Sequence, residues 1–143
     1  FDTNAVQLEK DYFCNRYLKQ IKQNIFDMFP KKIAYFSKNK NLASIENINE
    51  KFSLSGFVHN PVRNFTKSLK NNSSGFVQGN FPSESLAKPN VDFKKDFELF
   101  CKRMKRVEIE ERLNWVCSLN HGVLPKTPEE NVKSFTDYIR EKL

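Results

Sequence analysis

The sequence predicts an all-α fold, namely a small bundle of three to five helices with a long, largely irregular central segment. Near both ends of the chain, apolar residues recur at three- and four-residue steps, as on the buried face of a helix. No stretch sustains the two-residue alternation that is typical of a half-buried strand. The middle of the chain is rich in Pro, Gly and Ser, which favour turns and loops.

The first helix is predicted over residues 4–29. Thr3 or Asn4 can cap its start, and Phe29-Pro30 ends it, because the residue before a proline is disfavoured in the helical conformation. Its apolar stripe comprises Cys14, Tyr17, Leu18, Ile21, Ile25 and Met28. A second, shorter helix is indicated by the spacing of Leu42, Ile45, Ile48 and Phe52, with Asn39 or Asn41 as its cap.

Residues 53–90 show no lasting period and are predicted to form a flexible linker rich in Phe, Ser and Asn. The segment contains a short repeat, since Ser55-Gly56-Phe57-Val58 returns as Ser74-Gly75-Phe76-Val77. A four-residue match can arise by coincidence. The functional interpretation is two copies of a linear docking motif, with Phe57, Val58, Phe76 and Val77 as the residues that bind a partner.

A long helix is predicted over residues 91–119, because that stretch contains neither Pro nor Gly. Its first half carries an apolar stripe of Phe93, Phe97, Phe100, Met104 and Val107. Beyond Val107 the apolar positions Ile109, Leu113 and Val116 lie on a different side, which indicates contact with a partner chain. A break near 107–109, giving two antiparallel helices, is the alternative.

The last helix is predicted from Pro128 towards Leu143. Thr127 is placed to cap it, Pro128 suits its first position and Glu130 completes a capping box. The chain therefore divides into a helical part (1–52), the linker (53–90) and a second helical part (91–143). Because it opens with Phe1, we expect these parts to form one domain of a longer protein.

Composition excludes several classes of protein. The 143 residues carry a formal charge of +7, and no apolar run is long enough to span a bilayer. The three cysteines are too few for a disulfide scaffold, which favours an intracellular protein. A nuclear location is preferred to a cytoplasmic one. Secretion stays open, because Asn64, Asn71 and Asn72 begin glycosylation sequons.

The sequence offers no recognisable catalytic pattern, so we predict a protein that is not an enzyme. It contains no P-loop, HExxH, CxxC or GxSxG motif, and its two histidines are His59 and His121. Cys117 and His121, four residues apart, would share a helical face, yet a closed zinc site needs four ligands. We therefore predict no metal and no cofactor.

Two functions remain from the sequence alone. The first is a protein–protein interaction module, acting as a subunit or scaffold fragment of a nuclear assembly, with another protein chain as its partner. The second is a basic helical domain that binds the phosphate backbone of DNA or RNA. The residues assigned to that role are Lys95, Lys102, Arg103, Lys105 and Arg106. A solvated helix face explains the same charges equally simply.

Overall fold

A computed structural model describes residues 2–59 and 64–143 and contains a parallel sheet, so the prediction of an all-α fold is wrong. Four strands lie side by side in chain order, and every neighbouring pair is parallel. They are β1 (Ala34–Tyr35), β2 (Gly56–Val58), β3 (Phe76–Phe81) and β4 (Trp115–Leu119). Helices connect them, as parallel strands require.

The described α-helices come before, between and after these strands in the chain. They are α1 (Lys10–Tyr12), α2 (Leu18–Asn24), α3 (Ile48–Lys51), α4 (Phe65–Lys70), α5 (Ser83–Leu86), α6 (Asn90–Met104), α7 (Ile109–Arg112) and α8 (Glu129–Lys142). A π-helix, Phe13–Tyr17, joins α1 to α2. Short 3-10 helices cover Asn4–Gln7, Phe26–Met28 and Lys40–Ser44.

The pattern of buried side chains assigns the two sides of the sheet. Phe81 of β3 packs against Phe93, Phe97 and Phe100 of α6 and against Phe135 of α8, at centroid distances of 5.2–6.1 Å. Residues paired in register share a side, and side chains alternate along a strand. Phe57, Val77 and Trp115 therefore face the helices, whereas Val58, Gln78 and Val116 face the opposite side.

The central segment departs most from expectation. Residues 53–90, predicted to be a flexible linker, contain β2, α4, β3 and α5, and their residues 60–63 lie outside the described residues. Its short apolar runs are strands, and their pairing partners are remote in sequence. Because parallel strands are covered on both faces, such runs need not alternate between apolar and polar residues.

The repeated Ser-Gly-Phe-Val units do not occupy equivalent places. The register pairs Gly56 with Phe76 and Phe57 with Val77, so the two copies are offset by one residue. Phe57 is buried on the helix side, whereas Phe76 is half-buried on the opposite side. Gly56 is required there, because a Cβ on it would lie 2.5 Å from the Phe76 ring. Both copies are sheet strands.

The stretch 91–119, predicted as one helix, consists of α6, α7 and β4. The apolar stripe of α6 is confirmed, since Phe93, Phe97, Phe100, Met104 and Val107 are all at least 97% buried. The apolar positions beyond Val107 are shifted because α6 has ended there. The chain continues as α7 and β4, which pack against α4 and β3. Ile109 begins α7 and Leu113 follows it, both at exposed positions, while Val116 belongs to β4.

Helices occur in both terminal regions, but their bounds and caps differ from the predicted ones. The first region is helical in short pieces, with Phe13, Leu18 and Phe26 buried, whereas Ile25 and Met28 of the predicted stripe are exposed. The final helix begins at Glu129 without a side-chain cap, because the hydroxyl of Thr127 donates to the Leu124 carbonyl instead.

Candidate functional site

The carboxyl ends of the four strands meet at one edge of the sheet, and polar residues gather there. Parallel strands place the residues that follow them on the same side of a domain, which is where α/β proteins bind ligands. The residues at or just beyond these ends are Ser37 after β1, His59 after β2, Asn80 and Ser83 at the end of β3, and Asn120 and His121 after β4. We call this set the carboxyl edge.

Asn120 and Ser83 link β3 to β4 at this edge. The Asn120 side-chain oxygen accepts hydrogen bonds from the Ser83 backbone N–H at 2.9 Å and from the Ser83 hydroxyl at 3.2 Å. The Asn120 backbone N–H donates to the Phe81 carbonyl at 2.8 Å. The loop after β4 is therefore held in position, and His121, next in the chain, is exposed at the edge.

His59 and Asn80 occupy the interior of the edge, where both are fully buried. The His59 ring packs against Phe65 of α4 at a centroid distance of 5.3 Å, and its backbone N–H donates to the Gln78 carbonyl. A Cβ on Gly79 would lie 2.8 Å from the His59 carbonyl oxygen, so the strands approach closely there. His59 therefore supports the edge rather than facing solvent.

A carboxylate lies beside the end of β1. Asp2 forms a parallel bridge to Ser37, and its Oδ2 accepts hydrogen bonds from the hydroxyls of Tyr17 at 2.9 Å and Tyr35 at 2.5 Å. Burial and then the bond to Asp2 raise the pKa of Tyr17 to about 12, and the same causes raise the pKa of Tyr35 further. Both tyrosines are protonated donors at neutral pH.

The cysteines supply no thiolate to this region. Burial raises the pKa of Cys117, in β4, to about 12, and it also raises the pKa of Cys101. A neutral thiol is a poor nucleophile and a poor metal ligand. Within residues 2–59 and 64–143, no group of three or more His, Cys, Asp or Glu side chains is placed to hold a metal ion.

The residues that the sequence assigned to partners lie away from the carboxyl edge or inside the sheet. Phe57 and Val77 are buried against the helices, and Val58 and Phe76 are half-buried on the other side. The other residues assigned to a partner have exposed side chains, namely Ile109, Leu113 and Val116. Of the basic residues assigned to nucleic acid, Lys95, Lys102, Lys105 and Arg106 are exposed on or just after α6, whereas Arg103 is half-buried.

The carboxyl edge was not predicted, because its strands were not recognisable from the periodicity of the sequence. Its available signal was a short apolar run that ends in polar residues, as in Phe76-Val77-Gln78-Gly79-Asn80 and Val116-Cys117-Ser118-Leu119-Asn120. Periodicity alone does not separate such a run from a buried helical segment. His59 was placed in a linker and His121 at a helix end, whereas both follow strands.

Consecutive parallel strands in the order 1-2-3-4, with helices on one side, define an α/β fold of the kind found in TIM barrels. Residues 1–142 match the family model described as "Uroporphyrinogen decarboxylase (URO-D)". The chain belongs to the uroporphyrinogen decarboxylase family, whose fold is a TIM barrel. No solved structure matches the chain.

Curated relatives resemble parts of the chain. A uroporphyrinogen decarboxylase of Rickettsia canadensis is 35% identical over 65 residues, which are 45% of this chain and 17% of that protein. Those of Rickettsia felis and Rickettsia conorii are 44% and 41% identical over 39 residues, or 27% of this chain and 11% of each protein. The aligned stretches thus span less than a fifth of these relatives.

Membership of this family overturns several predictions. A scaffold that is not an enzyme, a DNA- or RNA-binding domain and a nuclear location are all wrong, because the chain matches a family of decarboxylases with bacterial relatives. Four of the basic residues assigned to nucleic acid are exposed on or just after a helix that packs on the sheet, as expected of a solvated helix face, namely Lys95, Lys102, Lys105 and Arg106. Within the described residues, no helix has the length and apolarity to cross a membrane.

Proposed function

We propose that the protein carrying this chain is a uroporphyrinogen decarboxylase, and that the carboxyl edge forms part of its substrate surface. The observation that carries the proposal is the family match over residues 1–142. The fold adds support, because active sites of TIM-barrel enzymes lie at the carboxyl ends of the strands. The described polar residues at that edge come from all four strands.

The reaction sets the chemical requirements. Loss of CO2 leaves an electron pair on the carbon that carried the carboxyl group, so that carbon must receive a proton. Catalysis therefore benefits from a group that holds the carboxylate and from a positioned proton donor. Hydroxyl, amide and imidazole groups can donate hydrogen bonds to carboxylate oxygens.

His121 is the residue we propose to contact the substrate. Its neighbour Asn120 holds the backbone in place through hydrogen bonds with Phe81 and Ser83. The His121 side chain itself is exposed. An imidazole donates at least one hydrogen bond in its neutral form and two in its protonated form. We propose that Asn120 and Ser83 act as positioning residues, because they reach His121 through the backbone.

Incubation of the purified protein with uroporphyrinogen tests the activity, with CO2 release and the carboxyl count of the product as measurements. The wild type is expected to yield a product with fewer carboxyl groups. A folded wild type that releases no CO2 overturns the proposed function.

The role of His121 is tested separately with His121→Gln, which keeps a hydrogen-bond donor but removes the imidazole ring. We expect kcat/KM to fall about 100-fold or more, the scale of a positioned acid or base. Lys133→Gln, on the exposed side of α8, is the matched control and keeps full activity. Full activity in His121→Gln would show that another residue serves as the donor.

We also propose that another segment of polypeptide covers Ile109, Leu113 and Val116. These side chains are 66%, 75% and 43% exposed, and β4 pairs on one side only among the described residues. If the proposal is right, Leu113→Asp lowers the thermal midpoint of the whole protein, whereas Lys105→Asp does not. Equal thermal midpoints for the two variants would mean that this surface is exposed to solvent in the whole protein.

A further inference from the structure

A groove on the helix-facing side of the sheet contains an arginine that has no hydrogen-bond or ion-pair partner among the described residues. It runs between the end of β3, α5 and α6, has a volume of about 350 Å3, and includes Arg103 in its wall. The remaining lining residues are Phe81, Pro82, Ser85, Asp96, Leu99 and Phe100. Because Asp96, Leu99 and Arg103 are spaced at three and four residues on α6, they follow one face of that helix.

The guanidinium of Arg103 is the unusual feature. Its Nε is buried, and the described residues offer it neither a hydrogen bond nor an ion pair. The guanidinium instead lies over the Phe100 ring, with 5.4 Å between Arg103 Cζ and the ring centroid. An aromatic face stabilises the charge but leaves the buried Nε–H donor without an acceptor. Burial lowers the pKa of Arg103, which reflects the cost of this placement.

Asp96 does not neutralise Arg103, because it is already paired. Its Oδ2 lies 2.7 Å from the Lys88 ammonium, and hydrogen bonds from Lys88 and then Ser85 lower the pKa of Asp96. The Lys88–Asp96 pair is therefore neutral as a unit, and Arg103 leaves the groove with one net positive charge. One positive charge suits a monoanion, whereas a dianion would meet the Asp96 carboxylate without a second free cation.

The rest of the groove is apolar. Phe81, Pro82 and Phe100 form its floor, and Leu99 remains 64% exposed at its rim. A ligand with an apolar body would cover Leu99 and remove that surface from water. The volume lies at the small end of the range of about 300–1,000 Å3 that is usual for ligand pockets.

We propose that this groove binds a small organic monocarboxylate, with Arg103 as the charged anchor and Leu99 and Phe100 against the apolar body of the ligand. The planar guanidinium can donate two parallel hydrogen bonds to one carboxylate. None of the residues that line the groove belongs to the carboxyl edge, and the proposal does not depend on the proposed decarboxylase function.

The test titrates the whole protein with hexanoate, which combines a carboxylate with a flexible apolar chain. Acetate supplies the charge without the chain, and hexanol supplies the chain without the charge. Isothermal calorimetry measures binding, and the fluorescence of Trp115 reports its location, because the Trp115 ring lies 6.0 Å from that of Phe100. We expect saturable binding of hexanoate that is at least about tenfold tighter than that of either comparison compound.

Three variants assign the binding to Arg103. Arg103→Met is expected to weaken hexanoate binding about tenfold or more, and Arg103→Lys to weaken it less, since a charge without the planar fork remains. Arg106→Met, which removes the same charge from an exposed position just after α6, should bind hexanoate normally. Circular dichroism establishes that each variant is folded, and Arg103→Lys serves if Arg103→Met is not.

Several results would overturn the proposal. They are the absence of saturable binding to the wild type, equal binding of hexanol, and an equal loss in Arg106→Met. A rise in the thermal midpoint of Arg103→Met without ligand is expected in any case, because the substitution removes an unpaired, partly buried charge. That rise together with unchanged hexanoate binding would place the ligand elsewhere and refute the site.

Discussion

The helix-facing side of the sheet and its carboxyl edge are built from different kinds of side chain. On the helix-facing side, Phe81 is surrounded by rings of α6 and α8, and every member of this cluster is at least 93% buried. At the edge, Ser83 and Asn120 hold the backbone by hydrogen bonds, and His121 remains exposed. The comparison indicates that apolar packing stabilises the fold, whereas the edge positions groups for binding.

The largest expected effect is on the helix-facing side. Phe97→Ala removes a fully buried ring that contacts Phe81, Phe100 and Phe135. We expect the free energy of unfolding to fall by about 3–5 kcal/mol, the usual cost of such a cavity. Denaturant unfolding followed by circular dichroism measures it. Leu99→Ala, an exposed neighbour on α6, should change stability by less than about 0.5 kcal/mol, and similar losses in both variants would contradict this assignment.

Asn131 hydrogen-bonds α8 to residues of α5 and α6, and its substitution is expected to lower stability by a smaller amount. Its side-chain nitrogen donates to the carbonyls of Leu86 and Lys88 at 2.8 Å, its oxygen accepts from Asn90, and it is fully buried. Asn131→Ala leaves these groups without acceptor or donor, so we expect a loss of about 2–3 kcal/mol. The same unfolding experiment checks it. A loss no larger than that of Asp137→Ala, on the exposed side of α8, would show that water replaces these bonds.

Alkaline pH tests the hydrogen bonds that join the helices to β1. The folded state keeps the Tyr17 and Tyr35 hydroxyls protonated, because their pKa values are raised above the ordinary value of 10. The stabilisation from Tyr17 is therefore fully present below pH 10 and is lost as the pH rises through 12. Solvent screening at the half-exposed Tyr17 keeps the effect near 1 kcal/mol or below.

Urea unfolding at a series of pH values measures this loss. Tyr17→Phe should flatten the decline in stability above pH 10, whereas Tyr12→Phe, at an exposed position of α1, should leave it unchanged. An equally steep decline in Tyr17→Phe would assign the alkaline instability to other groups.

The smallest effect on stability is expected at the carboxyl edge. Ser83→Ala removes the 3.2 Å hydroxyl bond to Asn120 but keeps the 2.9 Å backbone bond, so the cost should be about 0.5 kcal/mol. If the proposed function holds, kcat/KM falls about tenfold because the loop carrying His121 is less well positioned. Unchanged kinetics with unchanged stability would remove Ser83 from the positioning residues.

The sequence predicted helices well where the buried face of one helix carried the signal. The stripe from Phe93 to Val107 was recognisable, because a helix repeats every 3.6 residues along the chain, and α8 follows Pro128 as predicted. The carboxyl edge was not predicted. Ser83 and Asn120 are 37 residues apart, and they meet only because β3 and β4 pair in parallel.

By itself, the sequence therefore determined helices near both ends of the chain, the buried stripe of α6 and, within the described residues, the lack of a membrane-crossing helix. Tertiary structure alone decided that Phe57, Val77 and Trp115 belong to one sheet and that His59 and His121 follow its strands. The physical reason is the location of the hydrogen-bonding partner. A helix satisfies its backbone four residues away, whereas a parallel strand must find a partner across a whole crossover connection.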